Sequence, residues 1–397
     1  MTSETNTRPQ SGSATVGVLM PDSARTLDVS VVVCSHNGAV HLPAVLASLH
    51  KQTLAAGRFE TLVVDDGSSD PTSAIAAEHG ARVITLDENC GLAAARNAGV
   101  RAARAEIVAF TDDDCVCDPG WLEQLLEPFS NPAVLAVGGG VTPGGPNSFN
   151  VRFLRRRNPL KPLSGVFLES PGLTRRLAIY LRDLLLGAPR LAPGERLYSV
   201  VGANMAFRRG IVYELGGFDE AFRFGGEEEE LCVRTHARRE AAEIAFAPRA
   251  TVSHTFSPRV GDTLRRSRAY GRGNARLAAK YGDHRPVVFP APLLVAATGV
   301  TAQRCRSSRL ALIAGLAPLL AYPRWVVDLA ATSSPEPFAY PYLQLAQELL
   351  AMVGQIEGRR TGYHPVPATQ LADAPDLIAA PPPEWANPTA RVAPQHQ

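Results

Sequence analysis

Cysteine is scarce and unpatterned in this chain. Cys34, Cys90, Cys115, Cys117, Cys232 and Cys305 are the six among 397 residues. They form neither a CxxC pair nor the dense spacing of a disulfide-stapled secreted domain, so the expectation is reduced thiols in a cytosolic protein. Cys115 and Cys117 could ligate a soft metal, but no second cysteine pair follows them. The N-terminus, MTSETNTRPQSGS, lacks the charged-then-apolar layout of a signal peptide. A formal charge of +2 excludes a strongly polycationic or polyanionic chain. No uninterrupted apolar run reaches the roughly 20 residues that span a bilayer. Glycine-rich dinucleotide fingerprints, P-loops and internal repeats are also missing.

What is present alternates strand-like and helix-like runs. Val29-Ser30-Val31-Val32-Val33 is β-branched and nearly continuous, as expected of a strand buried on both faces of a parallel sheet. It ends in the turn Cys34 to Gly38, after which Leu42, Val45, Leu46 and Leu49 recur at helical spacing. Thr61 to Val64 leads into Asp65 to Thr72, where Ser69 or Asp70 can cap a helix with Pro71 at its first position. Arg82 to Leu86 is a third strand, Gly91 to Arg104 an alanine-rich helix, and Glu106 to Phe110 a fourth strand. This order predicts an α/β fold with a doubly wound, mostly parallel sheet, and right-handed crossovers put the strand ends on one rim.

That rim would collect Asp65, Asp66, Asp112, Asp113 and Asp114 in the crevice outside the carboxyl ends of the strands. Adjacent carboxylates repel, and a divalent cation or basic partners relieve them. A solvated acidic turn is the plain alternative. Glu227 to Glu230 form a second cluster at the start of a helix, where the helix dipole alone favours carboxylates. His254 ends the strand Ala245 to His254, and a lone histidine is more often structural than a ligand.

Residues 152 to 196 carry ten basic and three acidic side chains, with prolines and glycines interspersed. We read residues 150–198 as an irregular basic insertion over the crevice, suited to an anionic ligand. Arg265, Arg268, Arg272, Arg276 and Lys280 recur three or four residues apart, forming one helix face that is solvated or meets lipid headgroups or a diphosphate. The expected organisation is a tail at 1–27, a catalytic-type domain at 28–285, a helical region at 286–363 that packs on the domain or lies in a membrane interface, and a tail at 364–397.

The ordered motifs VSVVVCSHNG, LVVDDGSSDPT, GLAAARNAG, FTDDD, GANMAFRR, GGFDE and GGEEEELCVR, with the later His254, resemble the family 2 glycosyltransferases of GT-A fold across residues 29–280. The resemblance implies an inverting, metal-dependent transfer from a nucleoside-diphosphate sugar. Cys34, Ser35, Asn37, Asp66, Gly91, Arg96, Asn97 and Asp112 would bind the nucleotide, and Asp112, Asp114 and His254 would hold Mn2+ or Mg2+. Relatives carry the base in a Glu-Asp pair matching Glu227 and Glu228; this chain has Glu at both places, so Glu228 by register or Glu227 is the base. The acceptor would be a saccharide or a lipid-linked one in the cell envelope, reached at the cytoplasmic face of an anionic membrane. The alternatives are a sugar nucleotidyltransferase, whose phosphate loop CSHNG does not match, and an inert binding protein on the same fold. No nucleic-acid partner is expected.

Overall fold

A computed structural model describes residues 27–167, 172–187, 189–238, 243–282, 289–325, 327 and 334–365. The two expected tails therefore lie almost wholly outside the described residues.

Eight strands form one sheet in the order β3-β2-β1-β4-β9-β6-β10-β5. They are β1 (Val29–Ser35), β2 (Phe59–Asp66), β3 (Arg82–Leu86), β4 (Ile107–Asp112), β5 (Cys115–Cys117), β6 (Val134–Gly144), β9 (Asn204–Arg208) and β10 (Glu243–Thr255). Two short strands, β7 (Leu163–Ser164) and β8 (Leu197–Ser199), pair separately. The β3-β2-β1-β4 half is parallel throughout. Val31, Val32 and Val33 are fully buried because helices cover both faces. The intervening helices are α1 (Leu42–Leu49), α2 (Thr72–Glu78), α3 (Leu92–Ala102) and α4 (Trp121–Leu126).

The second half departs from the simple parallel expectation. β9 runs antiparallel between β4 and β6, while β6 and β10 are parallel to one another. The run from Val200 to Phe207 breaks at Gly202. Only its second half enters the sheet. Asn204 fixes that entry: its Oδ1 accepts from Trp121 Nε1 at 2.8 Å, and its Nδ2 donates to the carbonyls of Gly140 and Ala250, each at 2.8 Å. One buried amide thus ties β9, β6, β10 and α4 together.

Register then positions the rim. Cys34 lies opposite Asp112, Ser35 opposite Asp65, and Asn204 opposite Thr111. The carboxyl ends of β1, β2 and β4 meet the amino end of β9 and its preceding turn, Val201 to Ala203.

The remaining helices are α5 (Phe149–Arg156), α6 (Leu173–Leu186), α7 (Arg209–Glu214), α8 (Glu227–Arg238), α9 (Val260–Tyr281), α10 (Pro290–Arg304), α11 (Ser308–Ala321) and α12 (Tyr340–Thr361). α9 and α12 approach backbone to backbone through glycines. A Cβ on Gly271 would lie 2.0 Å from the Ala351 carbonyl, and one on Gly354 would lie 2.0 Å from the Arg268 carbonyl. Two of the charges expected to face outward meet α12 here, and a third meets α8. Arg268 and Arg272 donate to Glu357, at 2.9 Å and 3.3 Å, and Lys280 donates to Glu230 at 2.7 Å. In the basic insertion Arg152 pairs with Glu336 and Arg157 with Glu348, while Arg156 packs on the Tyr340 ring. Those arginines join α5 to the C-terminal helices and are not free to receive an anionic ligand.

No helix among the described residues is long and apolar enough to cross a membrane. Because the α9–α12 contact leaves no room for a side chain, Gly354→Leu should lower stability by about 2 kcal/mol. Chemical denaturation checks this, with a lower midpoint expected and an unchanged midpoint opposing the packing argument.

Candidate active site

A cavity of about 500 Å³ opens at the rim. Cys34, Ser35 and His36 reach it from the end of β1, Asp66 from β2, Asp112 to Asp114 from β4 and its turn, Glu227 and Glu228 from α8, and His254 from β10. Carboxylates more than a hundred residues apart in sequence therefore share one cavity.

Arg96 stands between the two acidic clusters. It is 2 % exposed, donates through Nη1 to Glu227 Oε1 at 2.7 Å, and has Nη2 3.7 Å from Asp112 Oδ1. Gly202 makes this possible, since a Cβ there would sit 2.3 Å from Arg96 Nη2. Gly225 and Gly226, with φ of +79° and +98°, turn the chain so that α8 begins at the cavity with Glu227. Glu230, the last of the four glutamates, points elsewhere and is held by Arg234, Lys280 and Tyr281.

Electrostatics divides the two glutamates that line the cavity. Glu227 gives its Oε1 to Arg96 and keeps a buried Oε2 without a partner. Glu228 lines the cavity with its Oε2 buried and unpartnered, and desolvation followed by the Glu227 charge pushes its carboxyl up to about 8. Asp114 is likewise pushed up to about 8 by burial and by the charges of Asp112 and Asp113. Ser35 donates to Asp113 Oδ2 at 2.5 Å, and burial raises that carboxyl too. His254 Nε2 is 3.3 Å from Asp114 Oδ1, its Nδ1 is buried without a partner, and burial with the nearby Arg266 lowers its pKa to about 4.

Asp112, Asp114 and His254 each offer one ligand atom within 4.8 Å of the others. The set fits a divalent cation. A neutral imidazole and two carboxylates crowded by like charge are what a small hard cation relieves.

Not every motif residue reaches the cavity. Asn37, in the left-handed region at φ 55°, accepts from the Ser69 backbone at 2.9 Å and joins the β1 and β2 turns. Asn97 is fully buried; it donates to the Phe218 carbonyl and to Glu220, each at 2.9 Å, and so holds the GGFDE turn. Neither lines the cavity. Asp66 does, but its oxygens accept the amides of Cys90 and Gly91 at 2.7 and 2.9 Å, which shapes the turn at Gly91. Gly91, at φ +96°, brings that turn within van der Waals reach of Arg223.

The structure adds lining residues that pattern reading missed. Arg223 donates to the Asn89 carbonyl at 2.6 Å. Arg266 and Tyr270, one turn apart on α9, also face the cavity, with the Arg266 guanidinium 5.2 Å from the Phe256 ring centroid and Phe256 packed on His254. Arg266 lies outside the row 265, 268, 272, 276, 280, so the spacing that drew attention to α9 pointed to its other side.

The sheet and its rim define a GT-A-type nucleotide-sugar fold. A mannosyltransferase of Pyrobaculum calidifontis solved with GDP-Man and Mn2+ shares the architecture, with a TM-score of 0.50, 18% identity, and coverage of 85% of this chain and 89% of that one. Residues 30–215 match the model of Glycosyl transferase family 2, and the chain carries a domain of that family. Among curated relatives, a pre-mycofactocin glycosyltransferase of Mycobacterium tuberculosis is 29% identical over 280 residues, covering 70% of this chain and 53% of the relative. A validoxylamine A glucosyltransferase of Streptomyces hygroscopicus subsp. jinggangensis is 30% identical over 227 residues, covering 53% and 51%. The chain thus spans about half the length of these relatives.

The raised Glu228 carboxyl predicts a pH signature. A group protonated in the folded chain up to about 8, and near its ordinary value when unfolded, contributes stability below the ordinary value that is lost as pH rises through 8. Glu228→Gln lacks this loss. Its melting temperature should exceed that of the wild type by a margin that grows between about pH 5 and about pH 9; a pH-independent margin would argue that Glu228 ionises freely.

Proposed function

We propose that this protein transfers a sugar from a nucleoside-diphosphate sugar to an acceptor hydroxyl with inversion at the anomeric carbon, using Mn2+ or Mg2+. The observation that carries the reading is the meeting of Asp112, Asp114 and His254 with Glu227 and Glu228 in one cavity, bridged by buried Arg96. A bound cation supplies charge neutralisation to the departing diphosphate.

The chain's own groups account for the rest. Asp112, Asp114 and His254 would hold the cation. Cys34, Ser35, Asp66 and Gly91 would form the nucleoside end of the pocket, with Cys34 a neutral thiol because burial pushes its pKa up to about 12. Arg223 and Arg266 bring positive charge to a wall otherwise rich in carboxylates, which favours a polyphosphate there. Glu228 would take the proton of the acceptor hydroxyl as it attacks, since no arginine holds it as Arg96 holds Glu227 and its raised pKa matches a base working near neutral pH. Glu227, held by Arg96, would position rather than accept. The acceptor would be a saccharide, free or lipid-linked, of the cell envelope, presented at an anionic membrane surface on the cytoplasmic side; the acid-free helices α10 and α11 support that part of the reading.

A screen of nucleotide-sugar hydrolysis with Mn2+ and with chelator tests the reaction class. Donor turnover should appear only with the cation, and Glu228→Gln should lower kcat by roughly 10²–10⁴-fold while donor protection against thermal unfolding persists. Turnover insensitive to chelator, or undiminished in Glu228→Gln, would sink the reading. Glu227→Gln leaves Arg96 buried without its nearest counter-charge and should cost about 3 kcal/mol of stability, which calorimetric unfolding would register; a neutral result would contradict the bridging role of Arg96.

A further inference from the structure

α11 is apolar on every side yet stands in the open. From Leu310 to Tyr322 no side chain is charged or an amide, and Pro318 is the buried residue of the helix. Leu312, Leu316 and Leu320 are 65 %, 45 % and 76 % exposed. α10, which packs against it after the turn at Cys305, leaves Leu293 and Leu294 exposed as well. A helix apolar all round is covered by something.

The charge pattern says by what. Residues 289–325 contain Arg304, Arg306, Arg309 and Arg324 and no Asp or Glu. Three of these arginines are exposed at or beside the turn joining the two helices. Apolar side chains beside unpaired positive charge match an anionic bilayer, whose acyl boundary and headgroups satisfy both. Length decides the mode. The 14 residues of α11 reach roughly 21 Å, short of the roughly 30 Å hydrocarbon core, and tip-first entry would drive the arginines into hydrocarbon.

We propose that the α10–α11 hairpin is a monotopic anchor lying along the headgroup layer of an anionic membrane. The anchor is coupled to the site. Tyr342 of α12 donates to the Gly315 carbonyl of α11 at 2.9 Å, and α12 packs on α9, which carries Arg266 and Tyr270 to the cavity. The hairpin therefore sets the cavity at a fixed height over the lipid surface. This deepens the acceptor part of the proposed function and is independent of the transfer chemistry.

Flotation of the full chain with phosphatidylcholine vesicles, with and without about 30 % phosphatidylglycerol, tests it. The wild type should float with the anionic vesicles and not with the neutral ones. Leu312→Gln/Leu316→Gln/Leu320→Gln and, separately, Arg304→Gln/Arg306→Gln/Arg309→Gln should each reduce the bound fraction at least tenfold while thermal unfolding and donor turnover stay at wild-type values, which shows the fold intact. A wild type that never floats overturns both the anchor and the membrane-side acceptor. Flotation undiminished in both variants overturns the anchor alone. A lipid-independent dimer that the leucine variant dissolves into monomers also overturns it, by assigning the face to a second copy.

Discussion

A buried guanidinium balanced between two carboxylates organises the site. Arg96, on α3, reaches Glu227 on α8 and Asp112 on β4. Removing a charge of this kind from water costs several kcal/mol, recovered only if its counter-charges are held in place. The geometry is therefore obligatory for both sides: β4 must end, and α8 must begin, where Arg96 can bridge them. The Gly202 turn, the Gly225-Gly226 turn and the Asn97 contacts to the GGFDE loop all serve that requirement.

The same bridge separates the chemistry of adjacent glutamates. By fixing Glu227 in place, Arg96 sets a carboxylate next to Glu228, which desolvation already disfavours as an anion. Two residues of identical type thus acquire different roles through their neighbours. On the other wall, burial and then crowding among Asp112, Asp113 and Asp114 work in the same sense, raising Asp113 and Asp114 until a cation or a proton arrives.

Much of this was legible in the chain. β-branched runs ending in Cys34, Asp66 and Asp112, separated by helices, dictate parallel strands whose ends share a rim. The aspartates at 65–66 and 112–114 therefore had to converge. Four things were not legible. Whether a polar motif residue faces the cavity or ties loops depends on side-chain direction, and Asn37 and Asn97 turn to loops. The strand reversal at β9 rests on the Asn204 network, whose partners lie at Trp121, Gly140 and Ala250. Charge patterns on α5 and α9 were visible, but their partners Glu336, Glu348 and Glu357 lie far along the chain. The rotation of α9 that presents Arg266 is set by glycine contacts with α12, which no local periodicity encodes.

The central claim is that these converging side chains grip a cation which in turn grips a diphosphate. Anomalous diffraction from crystals grown with Mn2+ and a nucleoside diphosphate addresses it directly. The account predicts a Mn2+ peak within coordination distance of Asp112, Asp114 and His254 and of both phosphates. A peak elsewhere, or a diphosphate bound in this cavity without one, would contradict it.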